Sequence, residues 1–287
     1  IAVCCDAPRA VWGDRRLATG HDDLQGLGPA ELRQAIRDGR FKGTTAGLAP
    51  GYLQVNLAIM PERYAHDFEH YCERNPKPCP LAGMSVRGDA GLPALGRGID
   101  LRHDVPAYNI YRDGRLSGSV TDIAELWQDD FVAFALGCSF TFERALVEAG
   151  VAMWHVTHGT TVPMFRSSID TTPAGPFGGK MVVSMRPIPT TLLSLVAEIC
   201  ERYPLAHGAP VHAGDPAEIG IADIAAPDWG DPAPLGIGEV PVFWACGVTP
   251  QVALEQAGLP ICITHEPGCM LVTDVPEDAA LSVLTVA

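Results

Sequence analysis

The chain has 287 residues, of which 47% are hydrophobic and 19% are charged, a composition typical of a globular protein large enough to bury a full core. The formal net charge of −14 argues against a nucleic-acid-binding protein, which needs a basic surface, and against binding to anionic membranes. Nine cysteines without a CxxC pair indicate reduced thiols instead of a disulfide framework or a structural zinc site.

The sequence also indicates where the protein works and with what. No apolar run approaches the ~18 residues of a membrane-spanning helix, and the charged beginning of the printed sequence lacks the apolar core of a signal peptide. We expect a cytoplasmic protein with a small-molecule substrate, no nucleic-acid or membrane partner, and a homodimer as a compatible assembly. No cofactor is expected. His207, His212 and Asp215 could ligate a divalent ion such as Mn²⁺, but their spacing is not a recognised signature.

In chain order, the first predicted element is a helix at residues 29–39, followed by a loop rich in Gly and Pro. A strand-like run, YLQVNLAIM, then leads into a helix that ends near Cys72. The Gly-rich residues 83–98 are expected to form a surface excursion. Residues 108–120, with Asp-Gly at their centre, predict a hairpin.

The second half of the chain repeats an order already met in the first. The residues from Cys138 to Gly150 match those from Cys246 to Gly258 without a gap, sharing Cys, Thr, Ala-Leu and Ala-Gly. Each segment follows an apolar run and predicts a helix that ends at its glycine. Between them lies a long segment, 207–238, rich in Gly, Pro and Asp, which predicts an ordered loop or a small subdomain.

A second repeat lies upstream of the first. Pro61 and Cys72 are separated by the same number of residues as Pro189 and Cys200, and each cysteine begins the motif Cys-Glu-Arg-x-Pro. Both cysteines lie on the apolar face of a predicted helix, so we expect core thiols. Two repeats in the same order predict an internal duplication.

Strands that alternate with helices predict the fold class. We expect an α/β fold of internally duplicated strand–helix units with mostly parallel sheets, arranged as two pseudo-symmetric halves around a central cleft. The predicted boundaries are 1–50 for an N-terminal helical and loop segment, 51–170 for the first half and 171–287 for the second, with the halves sharing one body.

Cys138 and Cys246 are the first candidates for catalysis. Ligands of parallel α/β sheets bind beyond the carboxyl ends of the strands, and both cysteines are predicted there. Each precedes a predicted helix, with Thr141 and Thr249 as N-caps, and a helix N-terminus lowers the pKa of a thiol. The pair could act as nucleophile or as acid and base. Alternatively, both are small residues packed at strand ends.

Histidines and arginines supply the next candidates. His265 and His212 lie in turns and are predicted to transfer protons, while His207 is predicted to bind substrate; a hydrogen bond to loop backbone would explain each equally well. Arg166 and Arg186 each end an apolar strand and could hold a substrate carboxylate, or pair with an acidic neighbour.

Polar residues on the first predicted strand complete the site. Tyr52, Gln54 and Asn56 alternate, so they share one face, which indicates either a pocket wall or an exposed face. We predict that Tyr52 and Asn56 contact the substrate. Three residues at the two cysteine turns complete the substrate-binding set: Ser139, Thr249 and Gln251.

Several blocks of sequence are more specific than these patterns. They are GYLQVNL at 51–57, RNPKPCP at 74–80, GCSFTFE at 137–143, MVVSMRP at 181–187, HGAPVH at 207–212 with GDP at 214–216, and PVFWACGVTPQ at 241–251. In these blocks the chain resembles the D-glutamate cyclase-like hydro-lyase family. The resemblance implies a lyase that cyclises a small amino-acid-type carboxylate with loss of water, as in the interconversion of D-glutamate and 5-oxo-D-proline.

The resemblance also implies a mechanism in which an amine attacks a distal carboxyl group. Backbone N–H groups of the two cysteine turns would stabilise the oxyanion, His265 or one cysteine would move protons, and Arg166 or Arg186 would hold the other carboxylate. Two alternatives use the same residues: a cofactor-independent amino-acid racemase or epimerase with paired cysteines, and a non-catalytic small-molecule-binding protein.

The chain departs from the family pattern at positions expected near the pocket. Where the family has Asn, Tyr and Thr, this chain has Thr161, Phe165 and Ser167, and where the family has a second His after Pro-Gly, it has Cys269. Because sites that bond polar groups discriminate sharply, these departures predict a substrate that has diverged from D-glutamate.

Overall fold

The computed structural model describes residue 24 and residues 26–279. Its helices are α1 (Pro29–Arg37), α2 (Glu62–Arg74), α3 (Phe140–Glu148), α4 (Trp154–His158), α5 (Leu193–Glu201) and α6 (Val248–Ala257). Its strands are β1 (Tyr52–Pro61), β2 (Leu81–Met84), β3 (Tyr108–Arg112), β4 (Arg115–Val120), β5 (Phe131–Gly137), β6 (Met164–Asp170), β7 (Lys180–Pro189), β8 (His212–Ala213), β9 (Glu239–Ala245), β10 (Cys262–His265) and β11 (Leu271–Pro276). No helix among these residues has the length and apolar composition needed to cross a membrane.

The strands form two sheets, and within each sheet every pair of neighbouring strands is antiparallel. The first sheet has the order β2-β5-β1-β10-β3-β4, with β11 also paired to β1. The second has the order β6-β7-β9-β8. The predicted α/β fold with mostly parallel sheets is therefore wrong.

The burial of β1 explains why a parallel sheet was expected. Val55, Leu57 and Ile59 enter one apolar cluster, whereas Ala58 and Met60 enter another on the opposite face with α2 and α6. A sheet covered on both faces produces continuous apolar strands, which are typical of parallel sheets. The apolar sequence of β1 therefore shows that both faces of the sheet are covered, but it does not show whether the strands are parallel or antiparallel.

Local predictions from turn and helix chemistry agree better with the structure. The helix expected at 29–39 is α1, with Pro29 in its first turn. The hairpin is confirmed as β3 and β4, joined by Asp113 and Gly114, whose φ angles of 48° and 73° are both positive, as a tight hairpin turn requires. The predicted surface excursion at 83–98 is wrong in part, because Leu92 and Leu95 are buried against the first sheet.

The repeated motifs occupy equivalent positions in the two sheets. Strand β1 pairs with β5 so that Val55 lies opposite Gly137, and β7 pairs with β9 so that Val183 lies opposite Ala245. The β1–β5 pairing ends at Pro61 and the β7–β9 pairing ends at Pro189. A cysteine directly follows both β5 and β9. The equivalence of the two units is therefore structural, while internal duplication of the chain stays a prediction.

Each half of the chain also completes the sheet of the other. Strand β6 lies within the predicted first half but pairs with β7 of the second, and β11 of the second half pairs with β1. The helices are exchanged in the same way: α3 packs on the second sheet beside α5, and α6 packs on the first beside α2. The ends of β5 and β9, with their cysteines, therefore lie where the two sheets meet.

Candidate functional site

Helices α3 and α6 begin directly after the two cysteines. Their N-caps are Ser139 and Gly247, so the prediction of Thr141 and Thr249 as N-caps is wrong by two residues. The Thr249 hydroxyl instead accepts from the Val182 N–H (3.0 Å) and donates to the Val182 carbonyl (3.2 Å). Thr249 therefore ties α6 to β7 and does not point a free hydroxyl at a ligand.

Asn56 connects the two cysteine turns. Its Nδ2 donates to the carbonyl oxygen of Gly137 at 3.2 Å, directly before Cys138. The same nitrogen lies so close to Gly247, directly after Cys246, that a Cβ there would collide with it. We name this meeting point the cysteine junction: it consists of Asn56, Cys138, Ser139, Cys246 and Gly247.

The residues of the cysteine junction are slightly exposed to solvent. Asn56 and Ser139 are each 7% exposed, and Cys138 and Cys246 are each 8% exposed, whereas Arg186, which contacts Ser139, is 0% exposed. The four residues are therefore buried but keep a small accessible surface, which we name the crevice. Gly247 beside them is half-buried.

The thiol of Cys246 is protonated at neutral pH. Burial raises the pKa of Cys246 to about 12, and the charge of the neighbouring Cys138 thiolate would raise it further, against the lowering effects of the Val248 N–H and Arg186. The expectation that the helix N-terminus favours a thiolate is therefore wrong for Cys246, because desolvation outweighs the helix terminus. A protonated thiol can donate a proton but is a poor nucleophile.

Arg186 is fully buried behind the junction. Its Nε donates to Glu143 Oε1 at 2.9 Å, its Nη1 donates to Ser184 Oγ at 3.0 Å, and its Nη2 donates both to Ser139 Oγ at 3.3 Å and to Glu143. Phe142 lies over the guanidinium at 5.1 Å, as does Trp244. Arg186 is thus paired with an acidic neighbour, the second of its two predicted roles, and is not free to bind a substrate carboxylate.

Glu143 carries the balancing negative charge. Burial alone would raise its pKa, but the Arg186 guanidinium and the hydrogen bond with His155 (Nε2 to Oε2, 3.0 Å) lower the pKa of Glu143 to about 2. Glu143 and His155 were absent from the predicted site. Glu143 lies within the GCSFTFE block and Arg186 within MVVSMRP, but only the packing of α3 on the second sheet pairs them.

His207 is also buried close to Arg186 and has an unusual geometry. Its φ of 73° is positive, which is strained for a residue with a side chain. Its Nδ1 lies 2.6 Å from the Lys77 carbonyl and must be the protonated nitrogen, so Nε2 is an acceptor, for which the described residues supply no partner. Burial lowers the pKa of His207 to about 4, so the ring is neutral at pH 7.

The other two predicted histidines lie elsewhere. The Nδ1 of His265 accepts from the Leu57 N–H at 3.1 Å, which supplements the pairing of β1 where β10 ends, and burial lowers the pKa of His265 to about 4. His212 pairs its Nε2 with the Asp215 carbonyl at 2.8 Å. It lines a groove of about 360 Å³ between α5 and β8, and not the junction.

The remaining predicted residues are dispersed. Arg166 is half exposed and stacks over Trp229 at 4.7 Å, and Tyr52 is 39% exposed at the start of β1. Gln54 donates to loop carbonyls instead of facing the junction. Gln251 is half-buried in the first turn of α6, at the position equivalent to Glu143.

Two of the departures from the family pattern, Phe165 and Cys269, lie in apolar clusters that contain none of the junction residues. Phe165 is buried in an apolar cluster with Val183 and Phe243. Cys269 packs against the first sheet, with its Sγ 3.5 Å from the Gly43 carbonyl. Within the described part of the chain, no His, Cys, Asp or Glu side chains are grouped so that three could hold a metal ion.

Comparison with known proteins gives an independent result. A family model described as D-glutamate cyclase matches residues 132–274. A "Putative hydro-lyase" of Dinoroseobacter shibae is 67% identical over 255 residues, covering 89% of this chain and 85% of that protein. Proteins of the same name are 59% identical in Jannaschia sp., covering 87% and 94%, and 54% identical in Verminephrobacter eiseniae, covering 92% and 96%.

A solved structure was also found, but its similarity is weak. A nitrogen repressor-like protein from Methanococcus jannaschii is 13% identical, with a TM-score of 0.37 and coverage of 81% of this chain and 90% of that one. A TM-score this low does not establish a shared fold.

Proposed function

Because the chain belongs to the D-glutamate cyclase-like hydro-lyase family, we propose that it cyclises a small amino-acid-type carboxylate with loss of water, and that the reaction takes place at the cysteine junction. One observation carries the location: Asn56 contacts both cysteine turns, so the backbone beside Cys138 and the backbone beside Cys246 meet at one side chain. D-glutamate is the first substrate to test, since Phe165 and Cys269 lie in apolar clusters that contain none of the junction residues.

The thiols supply the proton transfers in this proposal. The substrate amine forms a C–N bond to its own distal carboxyl carbon, and one C–O bond of the tetrahedral intermediate breaks. Two protons leave the nitrogen and two reach the departing oxygen, which leaves as water. Cys138 first takes a proton from the amine, and Cys246, which burial keeps protonated, gives a proton to the departing oxygen. The roles are then reversed for the second pair of protons, so both cysteines return to their starting protonation states.

The test is turnover of D-glutamate and 5-oxo-D-proline in deuterated water, followed by NMR. We expect interconversion of the two compounds without deuterium at the α-carbon. Cys246→Ala and Cys138→Ala should each lower kcat by about 100-fold or more, which is typical of loss of an acid–base group. Cys262→Ala is the matched control, because Cys262 is also buried with its pKa raised to about 12 but lies in β10.

A second candidate function is favoured by the pairing of the thiols. Two thiols on opposite sides of an α-carbon could racemise an amino acid without a cofactor, one removing the proton and the other replacing it. The same experiment separates the two reactions. Deuterium at the α-carbon with no cyclic product would support racemisation, and a ligand-induced rise in Tm with no reaction would indicate a binding protein.

A further inference from the structure

Arg186 determines which way the Ser139 hydroxyl can donate a hydrogen bond. A guanidinium has only donors, so Ser139 Oγ must be the acceptor in its 3.3 Å contact with Arg186 Nη2. The hydroxyl proton therefore points away from Arg186, and no described residue accepts it. Ser139 keeps 7% of its surface exposed at the crevice, where this proton could meet an acceptor on a ligand.

Arg186 cannot turn away from Ser139 without losing several other contacts. Glu143 and Ser184 accept three further hydrogen bonds from it, and aromatic rings lie over its guanidinium. Glu143 is itself held by His155 through its second carboxylate oxygen. All of these side chains are buried, so the orientation of Ser139 is fixed before any ligand arrives.

The equivalent position in the other cysteine turn lacks this arrangement. Counted from the matched cysteines and prolines, Ser139 corresponds to Gly247, Glu143 to Gln251 and Arg186 to Ala58. The second turn therefore has no hydroxyl, no carboxylate and no guanidinium at these three positions. The two cysteine turns therefore differ: at these positions, only the Cys138 turn has a hydroxyl that is hydrogen-bonded to a charged side chain.

We propose that the Ser139 hydroxyl donates a hydrogen bond to an anionic oxygen of the substrate, namely the carboxylate that becomes the tetrahedral oxyanion. Arg186 and Glu143 are positioning residues that act through Ser139. This inference rests on the proposed function, and it assigns the side chain of Ser139 a catalytic role in addition to the backbone of its turn. A preorganised donor of this kind is worth roughly 100-fold or more in kcat.

Ser85 provides a matched control for Ser139. Both hydroxyls are buried and each accepts one hydrogen bond, but Ser85 accepts its bond from the Ala133 N–H at 2.9 Å and not from Arg186. We expect Ser139→Ala to lower kcat on D-glutamate by about 100-fold, and Ser85→Ala to change it less than about 3-fold, with similar losses in Tm. Equal kcat values for the two variants would overturn the proposal and leave the proposed function intact.

A double-mutant cycle tests the positioning role of Glu143. Glu143→Gln removes the charge that holds Arg186 but keeps an acceptor of similar shape. If Glu143 acts through Ser139, its substitution lowers kcat in the wild-type background and has almost no further effect in Ser139→Ala. A merely structural role would lower kcat by the same factor in both backgrounds, and that result would overturn this part of the proposal.

A binding measurement separates this inference from the reaction itself. Glutarate, a dicarboxylate without the reacting amine, is titrated calorimetrically into the wild type and both serine variants. Even if D-glutamate is not turned over, Ser139→Ala should weaken glutarate binding at least 5-fold relative to Ser85→Ala, as expected for loss of one charge-assisted hydrogen bond. Equal affinities, or no binding to the wild type, would overturn the role of Ser139 independently.

Discussion

Arg186 and Glu143 form a buried ion pair whose stability depends on both partners being present. Removing one partner leaves an uncompensated charge, which costs about 3–5 kcal/mol, whereas replacing both is often nearly neutral. The equivalent positions hold Ala58 and Gln251, so a neutral pair is compatible with this architecture.

We therefore predict that Arg186→Met lowers the free energy of unfolding by about 3–5 kcal/mol. Arg186→Met combined with Glu143→Gln should recover at least half of that loss, since no charge then remains unpaired. Urea unfolding of the two single variants and the double variant measures this coupling. Losses that simply add would show that the carboxylate does not depend on Arg186.

The buried histidines predict an acid-sensitive fold. The pKa of His265 is about 4 against an ordinary value of 6.5, so protons bind the unfolded chain first as the pH falls. The stability from a neutral His265 is complete above pH 6.5 and is lost as the pH falls toward 4. His207 has the same window, whereas Glu143, with a pKa of about 2, contributes a further loss only below about pH 4.5.

His265→Asn keeps an acceptor for the Leu57 N–H but removes the titrating group. We predict that the wild type loses up to about 3 kcal/mol more stability than this variant between pH 6.5 and 4. Urea midpoints measured across this pH range test the difference. Parallel pH profiles for the two proteins would show that His265 titrates normally in the folded state.

At the residue scale, the sequence predicted the residues that meet at the cysteine junction better than the buried residues behind them. Their positions on predicted strands and turns indicated four site residues: Asn56, Cys138, Ser139 and Cys246. In the structure, Asn56 contacts both cysteine turns. For Arg186 the sequence left two roles open, a carboxylate clamp and an ion pair, and it did not identify Glu143 as the partner because the pair joins segments far apart in the chain. Such a pairing follows from tertiary packing, which local pattern does not encode.

Among the elements, the contact between the α6 turn and β1 controls the junction. A Cβ at Gly247 would collide with the Asn56 amide, although the φ of −64° at Gly247 suits any residue. The collision is therefore steric and not a matter of backbone strain.

We predict that Gly247→Ala displaces the Asn56 side chain, breaks its bond to the Gly137 carbonyl, and lowers kcat at least 10-fold. Gly118→Ala is the control, because nothing lies within 4 Å of a Cβ there. Adding Asn56→Ala to Gly247→Ala should restore Tm but not activity. An active Gly247→Ala variant would mean that the two turns need not meet through Asn56.

The elements also show which part of the fold was accessible to prediction. Helix α1 and the Asp113-Gly114 hairpin depend on local chemistry, and both were predicted. The pairing direction of β1 and β5 depends on what covers the sheet. Because Val55 and Ala58 are buried on opposite faces, their apolar run is equally compatible with a parallel sheet.

For the molecule as a whole, the exchange of strands and helices predicts a single cooperative unit. Strand β6 completes the second sheet and β11 the first, so neither predicted half contains all the partners of its own strands. We expect coincident urea transitions from far-ultraviolet circular dichroism and from tryptophan fluorescence. Two separate transitions, or a folded fragment of residues 171–287 alone, would show that the halves are independent.

The central claim is that catalysis takes place at the cysteine junction, and a crystal structure with 5-oxo-D-proline bound tests it most directly. We predict ligand density between the Cys138 and Cys246 turns, with a carboxyl or lactam oxygen within about 3.2 Å of Ser139 Oγ. The competing location is the groove of about 360 Å³ that His212 lines. Ligand density in that groove, with the junction unchanged, would contradict the account.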